Sequence, residues 1–188
     1  ESKIEGNKLY AKWVEYIPTL AEVIAMANDE ETNARGVVTY INNKNAYIQD
    51  ASAGMLLFCK AAPTFKVGDL VVVKGTRTVY GGAPELKDVV EVRAEASTMP
   101  KAVPLASLAA ATADPLKYFG QLVAFNGLKI TALDNYKNPS LTDGVDTVVC
   151  YKMSVDETKL PVGTVVNVTA IAGYFNGFPL VGDPAGIC

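Results

Sequence analysis

The side chains that could carry out chemistry in this chain are few and scattered. Its 188 residues include no histidine, which removes the commonest general base and the commonest metal ligand. The three cysteines, Cys59, Cys150 and Cys188, are odd in number and lack the spacing of a metal site. Cys59 and Cys150 lie in the strand-like runs LLFCK and TVVCY, where the residue is either a small buried hydrophobe or a reactive thiol. We therefore expect neither a structural zinc nor a disulfide framework.

The acidic residues show no catalytic pattern. Asp143 and Asp146, and likewise Asp156 and Glu157, are close in sequence, but they lie in turn-like stretches where Asp is favoured for bonding to its own backbone. The run LTDGVDT lacks the alternating oxygen ligands of an EF-type calcium loop. Gly81-Gly82 lacks the Lys-Ser/Thr that follows a phosphate-binding loop. The sequence therefore predicts a protein that is not an enzyme and has no nuclease activity, no cofactor and no bound metal.

The charge balance argues against a tight polyanion binder. The chain has 17 basic and 20 acidic side chains, a net charge of -3 and a pI of about 5.0. Proteins that hold nucleic acid tightly present a cationic surface, because neutralised phosphates supply most of the sequence-independent affinity. The apolar runs, such as LVVV at residues 70–73, are far shorter than the roughly 18 to 20 residues that span a bilayer, so we expect no transmembrane segment.

An internal repeat organises the chain. Residues 66–88, KVGDLVVVKGTRTVYGGAPELKD, are matched 95 positions later by residues 161–183, PVGTVVNVTAIAGYFNGFPLVGD. The matched pairs are Val67/Val162, Gly68/Gly163, Val71/Val166, Val73/Val168, Tyr80/Phe175, Gly82/Gly177, Pro84/Pro179 and Asp88/Asp183. We infer that one module has been used twice, as a first domain over residues 17–96 and a second over residues 103–188.

The repeat continues upstream of these runs at smaller offsets. Asp50 matches Asp143, and Leu20-Ala21 matches Leu105-Ala106. A loop insertion of about nine residues in the second module explains most of the change in offset, and loops tolerate such insertions. Residues 97–103 are predicted to be the linker, because two X-Pro pairs there interrupt regular structure.

Each module is predicted to open with a short helix. In the first, PTLAE at residues 18–22 has the pattern of a capping box, with Thr19 as N-cap and Glu22 at N3. The helix would run to about Ala27 and present one apolar face, formed by Leu20, Val23 and Ile24. Two turns of helix are unstable alone, so this face must fill an apolar space.

About five strands follow the helix in each module. In the first module they are predicted at residues 35–42, 46–50, 54–60, 69–80 and 85–92. The fourth is too long to stay flat, and Gly75 in its middle suits a bulge. In the second module, Asn126-Gly127 indicates either a hairpin turn or a bulge in one long strand, and the repeat favours the bulge.

This order predicts an all-β protein made of two tandem five-stranded Greek-key OB-fold barrels, each preceded by a short helix. The runs GVVTYINNKNAYIQD, GMLLF and VGDLVVVKGTRTVYGG resemble the OB-fold domains of secreted bacterial nucleases and of Bacteroides-type surface lipoproteins. The second module, with GQLVAFNGLKITA and VGTVVNVTAIAGYFNG, resembles the divergent companion that often follows. The resemblance implies a secreted or surface-anchored protein. Since the chain opens at Glu1 rather than Met, we expect its signal or lipid anchor to precede this sequence.

Strand alternation predicts which side chains of the first barrel face inward and which could touch a ligand. The inward set is Ile48, Met55, Leu57, Val71 and Val73. OB domains commonly bind ligands on the outer face of strands two and three. The candidate ligand-binding residues there are Tyr47, Gln49, Phe58 and Lys60, with Arg77 and Tyr80 reaching in from the fourth strand and its turn. The rings would stack bases or sugars, and the polar groups would form hydrogen bonds.

A covered surface is the alternative interpretation of the same face. Outward-facing Leu56, Phe58 and Val72 also suit packing against residues 9–17, which include Trp13, or against the second module. The second module does not repeat the polar and aromatic set, although Tyr174 and Phe175 at its final turn could form an edge site or cap the barrel.

Two functions are therefore predicted from the sequence. The first is a non-catalytic binding module of the bacterial cell envelope, with weak affinity for single-stranded nucleic acid or an oligosaccharide. The second is a structural module of a surface lipoprotein that docks a protein partner and binds no nucleic acid. The lack of an overall positive charge favours the protein-docking function, and the resemblance to nuclease-linked domains favours the ligand-binding function.

Overall fold

The computed structural model describes residues 2–5, 8–11, 16–174, 179–182 and 186–188. These residues form thirteen strands and two helices. The strands are β1 Ser2–Glu5, β2 Lys8–Ala11, β3 Glu31–Asn42, β4 Asn45–Gln49, β5 Gly54–Cys59, β6 Asp69–Tyr80, β7 Ala83–Ala96, β8 Val103–Pro104, β9 Leu122–Leu133, β10 Pro139–Thr142, β11 Thr147–Tyr151, β12 Val165–Ala172 and β13 Leu180–Val181. The helices are α1 Leu20–Ala25 and α2 Leu108–Thr112.

The first barrel closes in the order β3-β4-β5-β7-β6. Every pairing is antiparallel except that of β5 with β7, which is parallel. This is the strand order of a five-stranded Greek-key OB barrel. The fourth strand, β6, has the predicted bounds, residues 69–80. Strand β7 runs on to Ala96, beyond its predicted end at residue 92.

The second barrel repeats this topology. Strands β9, β10, β11, β13 and β12 pair in that order and β12 returns to β9, with the β11–β13 pairing parallel. The short strand β8 adds to the outside of β9 in parallel. The prediction of an all-β chain with two OB-like barrels, each preceded by a short helix, is confirmed. The repeat positions Phe175, Gly177 and Asp183 lie outside the described residues.

Two bulges let the long strands curl around their barrels. The register of β6 against β7 shifts around Gly75, where a Cβ atom would lie 3.0 Å from Val89 Cγ2. Strand β9 runs without a turn through Asn126-Gly127, and its register against β12 shifts at that point. Gly127 has a φ of +72°, a conformation that glycine adopts at low cost. The bulge interpretation is confirmed at both places.

The core of the first barrel follows the predicted alternation. Ile48, Met55, Leu57, Val71 and Val73 are all fully buried. Helix α1 begins with the predicted capping box: the Thr19 N–H donates to Glu22 Oε2 at 2.8 Å and the Glu22 N–H donates to Thr19 Oγ1 at 3.3 Å. The helix inserts Leu20 and Val23 into this core and ends at Ala25, two residues before the predicted end.

An aspartate after the second strand fixes the helix in each module. Asp50 Oδ2 accepts the Leu20 N–H at 2.9 Å, and Asp143 Oδ2 accepts the Leu108 N–H at 2.8 Å. These bonds satisfy a backbone donor that the first turn of a helix leaves unpaired. This shared role explains why Asp50 matches Asp143 in the repeat. The matching of Leu20 with Leu105 was wrong, because Leu108 is the residue bonded to the aspartate in the second module.

The glycines of the repeat also have equivalent roles. Gly68 and Gly163 have φ values of +94° and +99°. Each donates its backbone N–H to a carbonyl in the first strand of its own barrel, at Val38 and Ile130, with N···O distances of 2.8 Å. Among the described residues, neither helix is long and apolar enough to cross a membrane.

Asp143 makes the stability of the second barrel depend on pH. Its carboxylate accepts backbone N–H groups from Asp146, Leu108 and Val145, which hold its pKa below the usual value. A carboxyl group whose pKa is lower in the folded state than in the unfolded state stabilises the fold at pH values above its unfolded-state pKa. This stabilisation is lost as the pH falls through the folded-state pKa.

We expect Asp143→Asn to lower the urea midpoint at pH 7, and the difference from wild type to shrink as the pH falls below the ordinary Asp value. Urea unfolding followed by circular dichroism between about pH 7 and pH 3 measures this. Asp146→Asn is the matched control, since it removes the same charge but leaves the Asp143 carboxylate and its three donors in place. Equal midpoints for Asp143→Asn and wild type at pH 7 would contradict the assignment.

Candidate binding site between the barrels

The outer face of the first barrel carries a row of side chains across three strands. Tyr47 on β4 pairs with Leu56 on β5, and Leu56 pairs with Glu85 on β7. Because Ile48 and Leu86 point into the core, alternation places this row on the outside. This is the face that OB domains commonly use for binding.

The second barrel packs directly against this face through backbone. A Cβ atom on Gly54 would lie 2.1 Å from the carbonyl carbon of Gly120. The backbones of the two barrels therefore touch at a point where neither residue has a side chain. Beside this contact, Gln49 Oε1 accepts the Leu122 N–H at 2.8 Å. These two contacts fix the distance between the barrels on one side.

Aromatic and aliphatic side chains fill the interface beyond the glycine contact. The Tyr47 ring meets the Phe119 ring edge-on, with centroids 6.3 Å apart, and the Tyr40 ring lies 6.4 Å from Tyr47 on its other side. Ile171 and Val181 of the second barrel complete the cluster. The alternative interpretation of this face is thus correct in part: the second module covers it, whereas Trp13 lies outside the described residues.

The covering is incomplete and leaves a cleft of about 510 Å³ between the barrels. From the first barrel, its walls include Asn42 and Asn45 on either side of the β3–β4 turn, and Ala83 after the β6–β7 turn. From the second barrel come Val149 and residues around the β12–β13 connection. Among the described residues, six aromatic side chains line it: Tyr40, Tyr47, Tyr80, Phe119, Tyr151 and Tyr174. The strands and turns that an OB barrel uses for binding therefore open into this space.

The lining is aromatic and polar but uncharged. Among the described residues that line the cleft there is no Lys, Arg, Asp or Glu. Burial, with smaller contributions from Tyr40 and Glu85, raises the pKa of Tyr47 to about 12, so its hydroxyl stays neutral at physiological pH. The cleft therefore offers ring faces for stacking and phenol and amide groups for hydrogen bonds.

One carboxylate lies immediately behind the lining. Glu85 is only 8% exposed, and its neighbours Leu56 and Ala83 both line the cleft. Burial raises the pKa of the Glu85 carboxyl. The nearby Lys87 does not pair with it, because Lys87 Nζ bonds Asp29 Oδ1 at 2.9 Å. The charge of Lys87 acts in the opposite direction, but burial has the larger effect on this pKa.

The structure brings two of the six predicted ligand-binding residues to the cleft. Tyr47 forms part of its wall, and Tyr80, which is 66% exposed, lies at its rim. Phe58 and Lys60 point outward as predicted but lie on the open surface outside the cleft lining. Their role in binding stays a prediction.

Gln49 and Arg77 have partners other than a ligand, which corrects their expected placement. Gln49 uses its carboxamide oxygen to hold the second barrel. Arg77 turns inward and is 6% exposed, and its guanidinium donates to the Ile24 carbonyl, to Asn28 Oδ1 and to the Thr78 carbonyl. Alternation predicts the side of a strand, but a long side chain can bend to reach carbonyls at the end of α1.

Two of the three cysteines pack as small buried hydrophobes. Cys59 and Cys150 are buried, and burial raises the pKa of both thiols, that of Cys150 to about 12. A buried neutral thiol is a poor nucleophile. Among the described residues, no group of three or more His, Cys, Asp or Glu side chains could hold a metal ion.

The residues of the cleft that the sequence analysis missed include Tyr40, Asn42, Asn45, Phe119 and Tyr151. Their common feature is that they matter only once the barrels pack together. Tyr40 and Tyr151 could have been found by the same alternation argument, as outward side chains of their strands. Tyr174, expected at an edge site or barrel cap, lies instead over the β6–β7 turn, where a Cβ on Gly82 would be 2.9 Å from its ring.

Comparison with known proteins adds a distant structural likeness. No family model matches the chain, and no curated protein matches it. Among solved structures, the crystal structure of the p204 HINb domain matches with a TM-score of 0.37 and 10% sequence identity, over 84% of this chain and 95% of that chain. The function is therefore argued from the geometry of the cleft.

The glycine contact predicts that a single methyl group will loosen the two barrels. In Gly54→Ala the new Cβ would overlap the backbone of Gly120, so the barrels must shift apart. We expect a loss of about 1 to 3 kcal/mol in unfolding free energy and faster hydrogen exchange at the Leu122 amide. Gly182→Ala is the control, because its Cβ would meet only ordinary contacts at 3.7 Å. Unchanged stability and Leu122 protection in Gly54→Ala would refute the contact.

The raised pKa of the Glu85 carboxyl predicts a variant that is more stable than the natural protein. A Glu whose pKa is higher in the folded state than in the unfolded state destabilises the fold when it is ionised at high pH. This cost disappears as the pH falls to the unfolded-state pKa. We therefore expect Glu85→Gln to have a higher urea midpoint than wild type at pH 7 and an equal one near about pH 4. Glu95→Gln, an exposed site on the same strand, should match wild type at both. A lower midpoint for Glu85→Gln at pH 7 would show that the carboxylate is paired.

Proposed function

We propose that this protein is a non-catalytic binding module of the bacterial cell envelope and that it holds a short oligosaccharide in the cleft between its barrels. The observation that carries the proposal is the lining of the cleft, whose described residues include six aromatic rings and two asparagines and no charged side chain. Binding sites with a mainly apolar wall and a few convergent polar groups are the usual form of small-ligand sites.

The lining matches the chemistry of a sugar ring. A pyranose presents C–H groups on its faces, which pack on aromatic rings, and hydroxyl groups around its edge, which need donors and acceptors. The side-chain amides of Asn42 and Asn45 can donate and accept, as can the hydroxyls of Tyr80 and Tyr151. A volume of about 510 Å³ lies within the usual range for small-ligand pockets.

The same features argue against nucleic acid as the main ligand. Phosphates need cations, and the described cleft lining has none. Two cations of strand β6 have other partners: Arg77 is buried on backbone carbonyls, and Lys74 is paired with Glu31 at 2.9 Å. Only Lys60 is left on that face as an exposed cation of the predicted set. Single-stranded DNA should therefore bind more weakly than a sugar.

The envelope location is part of the proposal. It rests on the resemblance of the first-module runs to domains of secreted and surface proteins, and the absence of a basic field is compatible with it. Detection of the native protein in the membrane and secreted fractions of its host, compared with the cytosol, tests this part.

A protein-docking function is the second candidate, and one observation favours it. Tyr80, Val149 and Tyr151 at the cleft are each more than half exposed, with exposures of 66%, 54% and 54%. Such a rim would also accept an apolar segment of a partner protein. In that case the protein would bind no sugar, and substitutions of the aromatic residues of the cleft would weaken capture of the partner protein.

The sugar proposal predicts which substitutions weaken binding. Tyr80→Ala and Tyr151→Ala should each reduce oligosaccharide affinity about tenfold, because each removes a stacking surface of about 1 to 3 kcal/mol. Tyr136→Ala is the matched control, since Tyr136 is 79% exposed and lies outside the cleft. Isothermal titration against a panel of short glycans, with a single-stranded DNA oligomer for comparison, provides the measurement.

Tighter binding of DNA than of any glycan, with loss on changing Lys60 and no effect of the cleft substitutions, would overturn the proposal. Absence of binding to every glycan at millimolar concentration would leave protein docking as the surviving function.

A further inference from the structure

The second half of β7 leaves one strand edge of the first barrel open. Strand β5 pairs with β7 as far as Val89, and the last bond on that side joins the Lys60 N–H to the Val89 carbonyl at 3.1 Å. Residues 90–96 pair with β6 alone, and no other backbone bond from the described part of the chain reaches them. An exposed strand edge is a template for pairing with another strand.

Ala94 lies at the centre of this open edge. In an antiparallel pair, residues that bond the partner strand alternate with residues whose N–H and C=O point away from it. The Ser97 N–H donates toward β6, to the carbonyl of Gly68 at 3.1 Å. Counting back by twos, Glu95 and Arg93 also bond β6, and Ala94 between them turns its N–H and C=O toward the open edge.

The side chains that flank Ala94 carry opposite charges. The cross-strand partners of Arg93 and Glu95 on β6 are Val72 and Leu70, in that order, and neither partner belongs to the barrel core. Both charges therefore lie on the outer face of the first barrel. Both side chains are exposed, and neither forms an ion pair with a described residue.

An edge of this kind is complementary to itself. When two copies pair in antiparallel fashion about a twofold axis at Ala94, Arg93 of each copy lies opposite Glu95 of the other. The two Ala94 residues exchange their backbone bonds, and the two charge pairs occupy the closely spaced positions beside them. Opposite charges directly across a strand pair stabilise it, whereas like charges destabilise it. A register shift at Val92 ends the regular stretch and keeps the pairing short.

We propose that the open edge of β7 joins two copies of this protein in a symmetric dimer, through Ala94 and two Arg93–Glu95 ion pairs. The inference does not depend on the proposed function, since the described cleft lining includes none of these residues. Pairing covers the edge in both copies, so the contact closes on itself and gives a dimer rather than a fibre. A contact this small gives a weak dimer, which forms at about 100 µM protein and dissociates at about 1 µM.

Charge reversal at the two flanking residues tests the pairing, with association of the whole chain measured by sedimentation equilibrium. Arg93→Glu and Glu95→Arg each place like charges opposite one another at both symmetric positions. Each should weaken the dimer at least about tenfold. The variant with both substitutions exchanges the charges and should associate within about threefold of wild type. A mixture of the two single variants should form a heterodimer, because every facing pair is then of opposite charge.

Arg35→Glu is the matched control. Arg35 is exposed in the same cross-strand row as Arg93, but it lies on β3, away from the open edge, so its reversal should leave association unchanged. Wild type that stays monomeric at about 300 µM would overturn the inference. Association that survives both single reversals, or single variants that fail to pair when mixed, would overturn it as well. The wild-type measurement needs no variant to fold.

Discussion

The site between the barrels depends on one backbone contact, that of Gly54 with Gly120. No other residue type allows two backbone segments to approach so closely, because any Cβ at either position would overlap the facing backbone. The contact closes one side of the interface and lets Gln49 reach the Leu122 amide. On the other side, larger side chains hold the barrels apart and leave the cleft open. The cleft thus depends both on the glycine pair that closes one side of the interface and on the larger side chains that line the other.

Duplication explains why such a cleft can be built from one kind of module. Both barrels share the strand order, the helix and the aspartate that fixes it. Each contributes its third strand and the region of its final turn to the cleft. The two copies have diverged on these faces, with Tyr47 and Leu56 on one wall and Val149 and Tyr151 on the other. A site assembled from both faces exists only in the tandem, so one barrel alone would lack half of it.

Local rules were sufficient to predict the barrels but not the site. The capping box at Thr19, the bulge at Gly75 and the alternation around Ile48 depend on neighbours in the chain or in the next strand, which periodicity encodes. The role of Phe119 depends on how two finished barrels dock, and no local pattern records this. Arg77 shows the same limit, since its strand position indicated the surface while its long side chain found carbonyls on α1.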